Sequence, residues 1–134
     1  MMRQALRDQV RHRAENRCEY CWLRQEHDRF HHFHVEHIIA RKHAGADDLE
    51  NLALACQQCN LHKGTNLTGR DPDTDEITRL FDPRKDAWAE HFVRDGTRII
   101  GKTAVGRTTA WVLQMNSDDR FELRAMLMEL GELD

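Results

Sequence analysis

Phe33-His34-Val35-Glu36-His37-Ile38-Ile39 and, further on, Asn51-Leu52-Ala53-Leu54-Ala55-Cys56-Gln57-Gln58-Cys59-Asn60-Leu61-His62-Lys63-Gly64 decide the fold. The first run mixes aromatic and β-branched residues with polar ones, which is strand composition. Residues 43–50, with Ala44-Gly45-Ala46-Asp47-Asp48, read as a loop. Asn51 to Ala55 is a short apolar run suited to a second strand, and Asn60 to about Leu67 can form a helix. The predicted order is strand, long loop, strand, cysteine knuckle, helix.

Working outward, Cys56 and Cys59 have a matching pair upstream in Cys18-Glu19-Tyr20-Cys21. A C-x-x-C turn lets two thiolates reach one ion, and two such turns supply all four ligands of a tetrahedral zinc with no position left for water. Cys18, Cys21, Cys56 and Cys59 are therefore expected to hold a structural Zn²⁺. The 34 residues between the pairs must then form an inserted unit of their own.

Inside that unit, and directly after the second pair, lie the ingredients of phosphodiester hydrolysis. A neutral histidine can take a proton from water near physiological pH, and a hard divalent ion prefers oxygen ligands. His37 is the candidate base; Glu36 and Asn60 supply a carboxylate and an amide for Mg²⁺ or Mn²⁺.

On these residues the chain resembles the HNH endonucleases, also called ββα-metal or His-Me finger nucleases, in the small bacterial form stapled by two C-x-x-C knuckles. The matching residues are C-E-Y-C at 18–21, V-E-H-I-I at 35–39, N-L at 51–52 and C-Q-Q-C-N-L-H-K-G at 56–64. The resemblance covers residues 2–70 well, and residues 71–131 also look like the tail of such proteins. It implies that Glu36 and Asn60 bind the catalytic metal, that His37 is the general base and that Asn51 holds His37 in its productive orientation across the loop. Products with a 5′-phosphate and a 3′-hydroxyl are implied as well. Two positions depart from the family pattern: Ala40 stands where Pro is frequent, and Glu36 where Asp is common.

The family's last motif position can be His, which makes His62 a competitor of Asn60. Two residues along a helix rotate by about 200°, so His62 should face away from Asn60 whereas Lys63 returns to its side. Lys63, Arg41 and Lys42 are candidate phosphate contacts, and His34 and His62 candidates for supporting the ligands from outside.

The remainder is less specific. Leu6, Val10 and Ala14 recur every four residues, so residues 3–16 should form an amphipathic helix. Strands are expected over 76–81 and 98–100, a helix over 104–114, and a last helix from Asn116 or Ser117 to Leu130 with an apolar stripe at Leu123, Met126, Leu127 and Leu130. The fold expected is α+β: a zinc-stapled ββα-metal core with an N-terminal helix, and C-terminal strands and helices packed on it. Residues 1–70 form the nuclease core and residues 71–134 an extension of the same compact unit.

The net charge of −3 divides into +2 over residues 1–70 and −5 over residues 71–134, so the acidic excess lies away from the candidate site. That balance argues against strong non-specific electrostatic binding, yet leaves room for a nucleic-acid substrate, most simply double-stranded DNA. With no long apolar run, the chain is expected to be cytoplasmic and not membrane-bound, a compartment in which paired cysteines favour metal over disulfides. The competing reading is a catalytically inactive zinc-ribbon module that binds nucleic acid or a protein partner.

Overall fold

The computed structural model describes residues 2–133. Helix α1 (Gln4–Arg13) ends in Arg11, His12 and Arg13, cations placed where the helix dipole is negative, and buries Val10 against the core with Leu6 and Ala14 beside it. Glu15 and Asn16 both adopt positive φ, which reverses the chain into the first cysteine turn.

Strands β1 (His34–His37) and β2 (Leu52–Ala55) pair antiparallel, with Glu36 opposite Ala53 and His37 opposite Leu52. Every residue of β2 is buried, because the strand packs against α1 as well as α2 (Gln57–Lys63). A four-residue apolar run without alternation is what such two-sided cover requires. Arg13 closes the layer, donating from Nη1 to the Leu49 carbonyl at 2.8 Å and from Nη2 to that of Leu52 at 2.5 Å.

Helix α2 starts three residues earlier than expected and ends at Lys63, four residues before Leu67. Cys56 is its N-cap: the sulfur accepts from the Cys59 backbone N–H at 3.4 Å, so the second knuckle is the helix's first turn.

The extension begins with the hairpin β3 (Thr68–Arg70) and β4 (Ile77–Arg79). The short helix α3 (Trp88–His91) leads into a second hairpin, β5 (Phe92–Asp95) and β6 (Arg98–Gly101), turning at Gly96. Strands β3 and β5 were not anticipated. Helices α4 (Ala104–Val112) and α5 (Asp118–Glu129) complete the chain. Gly106 lets α4 approach closely, since a Cβ there would lie 1.9 Å from the His91 carbonyl oxygen.

Only half of the expected stripe on α5 lies on its buried side, where Leu127 is buried and Leu123 half-buried. Met126 and Leu130 are 50% and 64% exposed, whereas Arg120, Arg124 and Leu127 are buried. The arginines turn inward because acceptors wait there. Arg120 Nη1 donates to the Leu113 carbonyl at 2.8 Å and Arg124 Nη2 to that of Met115 at 2.6 Å, capping the end of α4.

The extension also grips the first knuckle. Trp88 Nε1 donates to the Tyr20 carbonyl at 2.8 Å, Arg84 pairs with Glu19, and the Trp88 ring stacks on Phe92 and lies tilted against Trp22. Among the described residues no helix is long and apolar enough to cross a membrane.

Candidate functional site

The four cysteine sulfurs lie within 4.8 Å of one another and all four residues are buried. Two ligands of one tetrahedral zinc stand about 3.8 Å apart when each Zn–S bond is about 2.3 Å. The Cys21 and Cys56 sulfurs are 3.7 Å apart, so the cluster fits a zinc ion. Burial pushes the Cys18 and Cys59 thiols well above their ordinary pKa, while hydrogen bonds from Cys18, Cys56 and Cys59 draw Cys21 down. Four thiolates in so dry a place need a cation.

Zinc with four thiolates retains two negative charges. Arg120 is placed to face that excess when zinc is bound, with Nη2 at 3.0 Å from the Cys59 sulfur and 3.8 Å from that of Cys56. Burial opposes its charge, yet Cys59, Cys21 and Cys56 outweigh burial and hold its pKa above the ordinary value. The sequence offered no metal-site residue beyond position 70; the signal was the shared helix face of Arg120, Arg124 and Leu127.

On β1 the side chains alternate. Glu36 turns inward, where its Oε2 accepts from the Tyr20 hydroxyl at 3.0 Å and its Oε1 pairs with Lys63 Nζ at 3.1 Å. Tyr20 belongs to the first knuckle, so the zinc turn and this carboxylate are in direct contact. Burial raises the Glu36 pKa; Lys63, Tyr20 and His37 pull against that rise.

Lys63 does not reach outward to a phosphate. Its side chain is 3% exposed, and its ammonium also donates to the carbonyls of His37 at 3.2 Å and Ile38 at 3.0 Å. The helix turn that returns Lys63 to the side of Asn60 points it into the hairpin, against a buried carboxylate that needs a partner.

His37, with a side chain 19% exposed, directs Nε2 to Asp47 Oδ1 at 2.6 Å. Asp47 is held in turn by the fork of Arg41, Nε to Oδ1 at 3.0 Å and Nη2 to Oδ2 at 2.7 Å. Hydrogen bonds from Arg41 and then His37 hold the Asp47 carboxyl at about 2. Arg41 is thus engaged within the loop, while Lys42 is exposed.

Asn51 makes no hydrogen bond to the imidazole. Its Oδ1 accepts from the Ile39 N–H, and its Nδ2 donates to the Ile39 and Ala46 carbonyls, all at 2.9 Å. It ties the start of the 39–46 loop to its end. Gly45 makes that closure feasible, since a Cβ there would fall 1.6 Å from the Ile39 carbonyl oxygen.

Asn60 sits half-buried on α2, and among the described residues its amide has no hydrogen-bond partner. His62 is half-buried. His34 is exposed and bonds Gln57 Oε1 through Nε2 at 2.7 Å, at the rim where β1 meets α2. Asp47, Tyr20, Gly45 and Arg120 are the residues that the sequence reading missed.

A ββα unit with an acid-histidine pair on its first strand and a cluster of four buried cysteines is similar to the HNH endonucleases, whose family model matches residues 18–66. A curated relative is the Septu protein PtuB of Bacillus thuringiensis, 27% identical over 117 residues that make up 86% of this chain and 42% of that protein. The chain therefore spans less than half the length of that relative. No solved structure matches it significantly.

Proposed function

We propose that the protein is a metal-dependent HNH endonuclease that hydrolyses DNA phosphodiester bonds, by nicking or cutting, and leaves 5′-phosphate and 3′-hydroxyl ends. The observation that carries this reading is the hydrogen-bonded His37–Asp47 pair at the end of β1, beside a packed helix that presents the amide of Asn60, unpartnered among the described residues. His37 acts as the base: water adds to phosphorus, its proton passes to the imidazole, the bond to the 3′-oxygen breaks, and that oxygen takes a proton from solvent. Asn51 supports the base through the loop backbone.

Asn60 and Glu36 would hold one divalent ion, Mg²⁺ or Mn²⁺, which supplies charge neutralisation at the phosphate. The donor chemistry suits such an ion, with one condition. Glu36 must yield the oxygen paired to Lys63, whose ammonium retains two backbone carbonyls when it does. Exposed Lys42 would meet the duplex backbone, and the protein would act in the cytoplasm.

A second reading, an inactive zinc module that binds nucleic acid or a protein partner, draws support from the same feature, since Lys63 and Tyr20 together engage both oxygens of Glu36. Conversion of supercoiled plasmid to open-circle and linear forms, with Mg²⁺, Mn²⁺ or EDTA, separates the two. Metal-dependent nicking by the wild type that His37→Ala lacks is the expected result. No cleavage with any metal, by folded and zinc-loaded protein, would leave the binding module.

A further inference from the structure

We infer that Asp47 is the positioning residue of the His37 base, fixing which ring nitrogen carries the proton, and that Arg41 serves it as a holder. This rests on the reading of His37 as the base. An ionised carboxylate can only accept hydrogen bonds, so the 2.6 Å contact makes Nε2 the protonated nitrogen of the neutral ring. The lone pair is then left on Nδ1, the atom that takes the proton from water. When the ring becomes imidazolium, the Asp47 charge lies against it, as the carboxylate of a hydrolase triad does.

Three features separate this from an incidental surface contact. Arg41 engages both Asp47 oxygens in a planar fork, so the carboxylate is fixed in direction as well as in place. The backbone that carries Arg41 and Asp47 is closed by Asn51, which joins Ile39 to Ala46, one residue before Asp47. Ala44, in the left-handed region at φ 67°, and Gly45, pressed beneath the Ile39 carbonyl, give the loop a conformation that its length alone would not impose. The hydrogen bond and ion pair of His37 go to Asp47 and not to the neighbouring acid, Asp48, which is the internal control.

The test uses the whole chain with zinc bound. Ring ¹⁵N shifts of His37, recorded at about pH 8.5 where an ordinary histidine is neutral, report the tautomer without any substrate. In the wild type Nε2 should carry the proton, and in Asp47→Ala the two tautomers should mix. In plasmid nicking, Asp47→Ala should lower kcat by roughly 10- to 100-fold, with KM within about twofold of wild type. Asp48→Ala should match the wild type in both measurements.

A wild-type ring protonated on Nδ1 would overturn the inference. So would a tautomer in Asp47→Ala that stays as in the wild type, or one that shifts with no loss of kcat. Absence of nicking by the wild type would instead sink the nuclease reading, while the ring signals would still decide whether Asp47 directs His37.

Discussion

Arg120, on the last helix, places Nη2 3.0 Å from the sulfur of Cys59, on the helix of the ββα core, so the end of the chain reaches back to a metal ligand. An N–H donor on a metal thiolate withdraws charge from the sulfur and holds it in place. Arg120→Gln should therefore release zinc to a chromophoric chelator about 10-fold faster than wild type. Equal release rates would reduce Arg120 to a helix cap for α4.

The pair of Lys63 and Glu36 is almost dry, with side chains 3% and 6% exposed. Removing one member strands the other, which typically costs about 3–5 kcal/mol, whereas removing both can be nearly neutral. Lys63→Met should be severely destabilised in urea, and Lys63→Met combined with Glu36→Gln should regain most of the loss. If the single variant melts like the wild type, the two groups are hydrated and not a buried pair.

Asp71 is buried and bonds Arg107 through both oxygens, at 3.1 and 2.8 Å, which fastens the β3–β4 hairpin to α4. The Arg107 guanidinium first, and the Asp73 N–H next, hold its carboxyl at about 2, below the ordinary 3.8. Above that ordinary value both states are ionised and the stabilisation is complete. As pH falls from about 3.8 to about 2 the unfolded chain takes up the proton first, so the stabilisation is lost. Asp71→Asn should flatten the fall in melting temperature across that window relative to wild type; parallel curves would refute the linkage.

Gly45→Ala forces a methyl group onto the Ile39 carbonyl oxygen. The loop must open, and Asn51 then loses its grip on Ile39 and Ala46. Displacing a catalytic group by about 1 Å can cost on the order of 100-fold in rate. Nicking by Gly45→Ala should fall by about that factor, with zinc content and the far-ultraviolet circular dichroism spectrum unchanged. Full activity would mean that loop closure is irrelevant to His37.

The hairpin, the helix and both knuckles could be read from the chain because their chemistry is written in consecutive residues. The start of α2 was misplaced because Cys56 serves as both ligand and cap, and a knuckle read as a turn hides a helix that begins inside it. Strand β3, Thr-Gly-Arg, has no strand composition and exists through its pairing with β4. The face of α5 was misread in part because hydrophobic periodicity assumes that charge points outward, while Arg120 and Arg124 are drawn in by sulfur and carbonyl acceptors contributed by distant residues. Asp47 and Asp48 look alike in sequence; only the folded loop tells them apart.

Tyr20 stands between two of the cysteines and donates to Glu36, and Cys56 caps the helix that carries Asn60 and Lys63. On the proposed nuclease reading, the zinc cluster and the reaction centre would consequently form one assembly, lost or kept together. A preparation short of zinc would contain fewer competent molecules, not slower ones, and turnover counted per zinc atom would stay constant as metal is withdrawn. Oxidants that attack the thiolates would likewise act on this protein as an off switch and not as a dimmer.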